Sequence, residues 1–313
     1  MEKLGAQLSR YGAVANPLPV SPNAKIFFVA SADSVDYASL QQEFPVDKDG
    51  EVRVFTTIQA AVDAATASRG DVIYVMPGHV ETVTAAAGLS LDKAGITLIG
   101  YGNGDLRPQI NFTTAVGADM DVDAANITMK NFRFTGGIDA LTGPIDVNAA
   151  NFTMLDCVTQ DVTGQATDFI VTDANADGLT IDGWTHKGAA AAGADTAISI
   201  VGGDNISIDN FNIDGNFAVA AIENVTTAAV NLNVGARSQG NLARNRNSGD
   251  VILTSVATTT GFVNNIFSRL ADNAANITEA LVGADMQFGP NLPIVNLDGE
   301  QAIQWNGTAS TDA

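Results

Sequence analysis

A four-residue unit recurs through the middle of the chain: a polar residue or glycine, an apolar residue, Thr or Ser, and a second apolar residue. It reads Gly95-Ile96-Thr97-Leu98, Asn126-Ile127-Thr128-Met129, Asn151-Phe152-Thr153-Met154, Gly178-Leu179-Thr180-Ile181 and Asn205-Ile206-Ser207-Ile208, with Ala229-Val230-Asn231-Leu232 as a weaker copy. Successive copies are 31, 25, 27, 27 and 24 residues apart. A second apolar row follows each unit (Phe132 and Phe134, Trp184, Phe211 and Ile213). A third precedes it (Met120 and Val122, Ile145 and Val147, Phe169 and Val171, Ile198 and Ile200). Three short alternating segments per repeat describe one triangular coil, and a period of this size marks a solenoid. The segments are too short, and too rich in Thr, Asn, Asp and Gly, for helix pairs. The expected fold is therefore all-β, a single right-handed parallel β-helix of about eight to ten coils.

The same pattern assigns faces. Ile127, Phe152, Leu179 and Ile206 fall on the inward column, while the Thr and Ser between them suit a solvated strand face. Asn or Gly before each strand fits a tight corner that needs left-handed backbone. The lone cysteine, Cys157, sits in an apolar strand pattern and reads as a small buried side chain.

The ends differ from the middle. Lys25–Ala30 reads as a strand, and Asp33–Phe44 as a short helix. Over about 55–68 the residues Ile58, Ala61, Val62 and Ala65 recur at helical spacing behind Thr56 or Thr57 as N-cap. A strand then runs from Asp71 to Met76 and stops at Pro77-Gly78. A helix followed at once by an apolar strand suits a cap over the open end of a stack. Residues 1–30 carry Pro17, Pro19 and Pro22, which force an extended backbone, together with Leu4, Leu8, Tyr11, Leu18 and Val20. This stretch is expected to be a docking arm laid on another surface. The β-helix and its cap are assigned to 31–285, with a helix over Ser268–Leu281 closing the far end, and 286–313 reads as an irregular, apolar C-terminal arm.

Charge narrows the function. Lys and Arg number 15 against 35 acids, a net charge of −20. That balance argues against nucleic acid and anionic membrane surfaces as partners. No apolar run approaches the length of a membrane span, and Met1–Leu4 does not open a signal peptide, so a chain made in the host cytoplasm is expected. Seven Asn-x-Ser/Thr sequences occur, several of which are the coil repeat itself.

The stretch Phe55–Ala65, then Gly70–Gly78 and Glu81-Thr82-Val83, resembles the opening of pectin-lyase-like β-helix proteins. That superfamily includes carbohydrate lyases and esterases as well as bacteriophage structural proteins and tailspikes, so the resemblance implies a fold more than an activity. Its enzymes cluster Asp residues on adjacent coils or pair acids with Arg or Lys. Here Asp156, Asp182 and Asp209, with Asn131 in the coil before, fall at equivalent coil positions; they read first as turn residues bonded to backbone, and otherwise as an acidic ladder for Ca2+ or a shared proton. No Arg or Lys recurs beside them. Trp184 and His186, beside Asp182 and Asp209, form a candidate glycan face, with packing or an interface as the other reading. His79 sits at a strand exit and reads as structural.

No catalytic, cofactor-binding or metal-ligating set is assigned, and no cofactor is expected. The expected function is a non-enzymatic virion structural protein of a tailed bacteriophage. Specifically, it is a capsid-surface decoration or cement protein, homotrimeric and bound to the major capsid protein or other virion subunits. The alternatives are a tail fibre or tailspike that binds or cleaves host polysaccharide and, last, a free polysaccharide lyase or esterase.

Overall fold

The computed structural model describes residues 21, 23–162, 164–189, 194–235, 237, 240–247, 249–270, 281–283, 285–288, 292–297 and 300–302. The docking-arm residues Leu4, Leu8, Tyr11, Leu18 and Val20 lie outside the described residues. Strand after strand pairs in parallel with the strand one coil earlier, and the chain closes into three long sheets. The first sheet holds 11 strands, the second 10 and the third 8. Each coil contributes one strand to each sheet in turn, as in Thr128–Lys130, Arg133–Gly136 and Leu141–Val147. This is a right-handed parallel β-helix of about nine turns. At roughly 4.8 Å per coil the rod is roughly 43 Å long.

Register explains why the repeat is so regular. On the third sheet Met120, Ile145, Ile170, Ile198, Ile222 and Ile252 are successive partners. All six are buried. On the first sheet the inward column runs Leu98, Met129, Met154, Ile181, Ile208, while Thr97, Thr128, Thr153, Thr180 and Ser207 line up outward. Stacking like on like lets every coil bury the same shape against its neighbours.

The corners are set by two columns of left-handed residues. Gly95, Asn126, Asn151, Gly178, Asn205 and Asn231 open the first-sheet strands with φ between 59° and 72°. Each of the first five donates its backbone N–H to the next coil. The Asn side chains also pair, Asn151 Nδ2 to Asn126 Oδ1 at 3.0 Å and Asn231 Nδ2 to Asn205 Oδ1 at 2.9 Å. A second column, Asn131, Asp156, Gly183 and Asn210 (φ 51–75°), turns the chain from the first sheet to the second. Asn and Gly tolerate this backbone where a branched residue would not.

The N-terminal end is covered twice. The helix Ile58–Ala64, capped by Thr57 Oγ1 accepting from Ala60 N, buries Ile58, Ala61 and Val62 over the open core. It is shorter than the span of 55–68 read from spacing, because Val54–Phe55 pairs as a strand with Ile26–Val29 and Ala65 already leaves helical geometry. The helix Val35–Glu43 lies outside the first sheet, where Phe28, Leu40, Tyr74 and Tyr101 make a second, small core. Asp71 ties these parts together. Its fully buried carboxylate accepts from Lys25 N, Thr66 N and both arms of the Arg69 fork at 2.6–2.8 Å. Burial alone pushes this carboxyl up, but those donors outweigh it and its pKa lies below the ordinary value.

Three local readings change. Val171 does not continue the inward row; Ile170 and Thr172 do, because the Leu141–Val147 and Ala166–Thr172 strands carry register shifts that move the pattern by one residue. The segment expected to start a closing helix is the strand Ile266–Leu270, which pairs with Asn241–Asn245 and Leu292–Leu297; residues 271–280 lie outside the described residues. An open sheet edge offers backbone partners that a helical pattern in the sequence does not reveal. For the same reason strand pairing runs past residue 285, through Asp285–Phe288 and Leu292–Leu297, where an irregular arm was expected.

Candidate functional surfaces

Trp184 and His186 do not face solvent; they are 1% and 2% exposed. Gly183, at φ 75°, turns the corner, so Trp184 lands in the core column of Phe132, Cys157 and Phe211, while Thr185 takes the outward position. Trp184 Nε1 donates to Thr159 Oγ1 at 2.8 Å, and that hydroxyl lies 2.8 Å from His186 Nδ1. Phe169 and Phe217 flank the imidazole at 5.5 and 5.6 Å. Burial drives the His186 pKa down to about 3, so the ring is neutral and structural. The glycan face therefore loses its aromatic platform. Cys157 is buried as the pattern suggested, and burial lifts its thiol to about 12.

The acids named from the sequence separate. Asp182 and Asp209 are register partners, but Asp156 belongs to the corner column with Asn131. Asp209 is buried, and its carboxylate accepts from the backbone of Asn210 and Arg237. Asp156 lies 3.4 Å from Lys130 Nζ, a basic neighbour that spacing did not disclose. Glu81 accepts from Ile58 N at the start of the capping helix and sits 3.0 Å from His79 Nε2, which makes His79 part of the cap. Among the described residues no group of three or more His, Cys, Asp or Glu is placed to hold a metal ion.

Two outward faces carry further groups of charge. On the third sheet Asp121 and Asp146 are register partners, and Asp119 and Asp123 flank the two ends of Asp121's own strand, Met120–Val122. Partial burial, reinforced by Asp119, Asp123 and Asp146, pushes Asp121 up to about 7. Asp119 and Asp146 are raised as well, burial being the first cause in each. The sequence carried the signal: Met120-Asp121-Val122 and Ile145-Asp146-Val147 place acids between the inward residues, so alternation alone puts both outward.

The second sheet gathers five cations, interspersed with Asp105, Asp139, Asp161 and Asp214. Three cavities of about 280, 510 and 390 Å³ lie along it, joined by shared walls at Gln160 and Lys187. Arg107 and Arg133 line the first, Lys187 and Arg246 the second, and Lys187 and Arg244 the third. Asp161, 8% exposed, lines the middle one, and burial raises its carboxyl to about 7.

No family model and no curated protein sequence matches the chain. A solved structure titled rhamnogalacturonan lyase superposes with a TM-score of 0.36 at 15% identity, covering 86% of this chain and 87% of that one. A likeness at that TM-score adds nothing to the strand pairings, which by themselves fit the pectin-lyase-like resemblance at the level of fold.

Proposed function

We propose that the chain is a non-enzymatic structural subunit of a tailed-phage virion, a capsid-surface decoration or cement protein that acts as a homotrimer and binds the major capsid protein. The observation that supports this most is an apolar surface on the C-terminal coils. Leu242, Phe262 and Phe267 face outward with 39%, 41% and 38% of their surface exposed, and Leu242 and Phe267 are register partners on the second sheet. Large outward side chains on adjacent coils of a highly acidic rod call for a covering partner. A solenoid with a continuous core supplies a stiff strut between such contacts. Light scattering on the full chain is expected to return three copies; a monomer that persists at high concentration overturns the trimer. Co-sedimentation with undecorated capsids tests the location, and an absence of binding overturns it.

A second reading, a tail fibre or tailspike acting on polysaccharide, draws on the third-sheet acids. A carboxyl pushed up to about 7 within reach of further carboxyls is the kind of set that acid–base glycoside cleavage uses. Depolymerase activity that disappears in Asp121→Asn with Asp146→Asn would establish it, and no turnover across a panel of surface glycans would remove it.

A further inference from the structure

We infer that the trimer is built by a head-to-tail contact in which the acidic outer face of the third sheet in one copy meets the cation-bearing outer face of the second sheet in the next. The inference rests on the homotrimer proposed above and assigns its faces.

The argument is geometric. A threefold axis parallel to a rod preserves height along it, so coils of equal rank in two copies lie level. The pairings then decide what meets what. The coil that carries Asp121 on its third-sheet strand carries Arg107 beside its second-sheet strand Gln109–Phe112. The next coil carries Asp146 and Arg133. Two coils further on, Lys187 shares a coil with Asp195. At the C-terminal end the match turns apolar: Leu242 on the second sheet shares a coil with Leu253, an outward residue of the third. Thus charge lies level with opposite charge at the N-terminal coils, and apolar with apolar where the exposed surface begins. Asp214, on the intervening coil, is already answered within its own face by the Arg246 fork at 2.6–2.8 Å.

Each face also has an unmet need that the other supplies. Asp121 is surrounded by Asp119, Asp123 and Asp146, and its raised pKa reflects repulsion and burial with no compensating cation. On the other face Arg107 and Arg133 line one open cavity, and Lys187 lines the two beside it. Arg133 reaches only Gln160, at 2.9 Å, and the fully exposed Asp105, at 3.4 Å. Lys187 has no ion pair among the described residues. Guanidinium and carboxylate brought together would satisfy both.

Charge reversal tests the assignment, with mass read by light scattering and folding by far-ultraviolet circular dichroism. Asp121→Lys with Asp146→Lys, and separately Arg107→Glu with Arg133→Glu, should each weaken trimer formation at least tenfold while the dichroism stays native. The four substitutions combined should restore the trimer, which a merely misfolded variant could not do. A wild-type trimer that survives both reversals, or a folded fourfold variant that stays dissociated, overturns the face pairing and leaves the trimer standing. A monomeric wild type removes the trimer itself.

Discussion

The Thr159 hydroxyl stands between Trp184 and His186, 2.8 Å from Nε1 of the first and 2.8 Å from Nδ1 of the second, in the closed interior of the rod. One hydroxyl satisfies two buried nitrogens because it can accept from the indole and donate to the imidazole at once. Thr159→Val keeps the shape and removes both bonds. It is expected to cost about 2–6 kcal/mol, since each of the two orphaned nitrogens loses about 1–3 kcal/mol. Thr185→Val, outward on the neighbouring coil, is the control. Urea denaturation followed by tryptophan fluorescence reads both; equal midpoints for the two variants would remove the interior network from the stability of the rod.

The face assignment makes a sharper contrast. Ile206 is fully buried in the column of Leu179 and Phe152, whereas Thr180 is half-buried on the outward row. Ile206→Asp leaves an unpaired carboxylate in an apolar stack and is expected to cost several kcal/mol, about 4 or more, or to abolish folding. Thr180→Val is expected to shift the melting temperature by less than about 1 °C. A comparable loss in both would mean that the two faces are not distinguished in solution.

The coil repeat made the faces and corners legible because alternation and left-handed corners are local. Ile206, Phe152 and Leu179 inward, Thr180 outward, and Asn126, Asn151 and Asn205 at the turns all follow from spacing within a few residues. What failed was non-local. The position of Val171 depended on a bulge that only strand pairing reveals. The start of the Ser268–Leu281 pattern, Ser268–Leu270, lost to strand pairing with the previous coil. Trp184 already belonged to an inward row, yet its place beside His186 also suggested a sugar platform; Gly183 at the corner decided between them. The acidic pair Asp121 and Asp146 was present in the alternation but was overlooked in favour of Asp182 and Asp209, which follow the repeat more visibly.

Corner chemistry can be tested at Asn205, which holds φ at 59° and accepts from Asn231 Nδ2 at 2.9 Å. Asn205→Gly retains the backbone and loses one exposed bond, an expected cost of about 0.5 kcal/mol. Asn205→Ala keeps neither and should cost roughly 1.5–2.5 kcal/mol, because a Cβ in left-handed geometry is penalised by about 1–2 kcal/mol. The ordering Gly above Ala in thermal stability is the readout; the reverse order would mean that the corner does not hold left-handed backbone in solution.

Asp161 gives a pH signature of its own. Its carboxyl is buried and accepts from Ala166 N at 3.1 Å, and burial lifts its pKa to about 7 from an ordinary value of 3.8. The folded state therefore holds a proton that the unfolded chain releases across that window. The sign follows: the folded state is favoured below pH ~4 and loses that advantage as the pH rises through about 7, where the buried carboxyl must ionise. Asp161→Asn keeps a carbonyl acceptor for Ala166 N and removes the ionisation. Because the loss begins near pH 4, the variant should already lead the wild type at pH 5. Its lead should grow by on the order of 2 kcal/mol more between pH 5 and pH 8. The check is thermal unfolding of both proteins at half-unit steps from pH 5 to 8.5, taking the difference at each step so that the other titrating acids, Asp121 among them, cancel. A difference that stays flat across the window would show that Asp161 ionises freely in the folded rod, and that the cavity beside it is wetter than its 8% exposure implies.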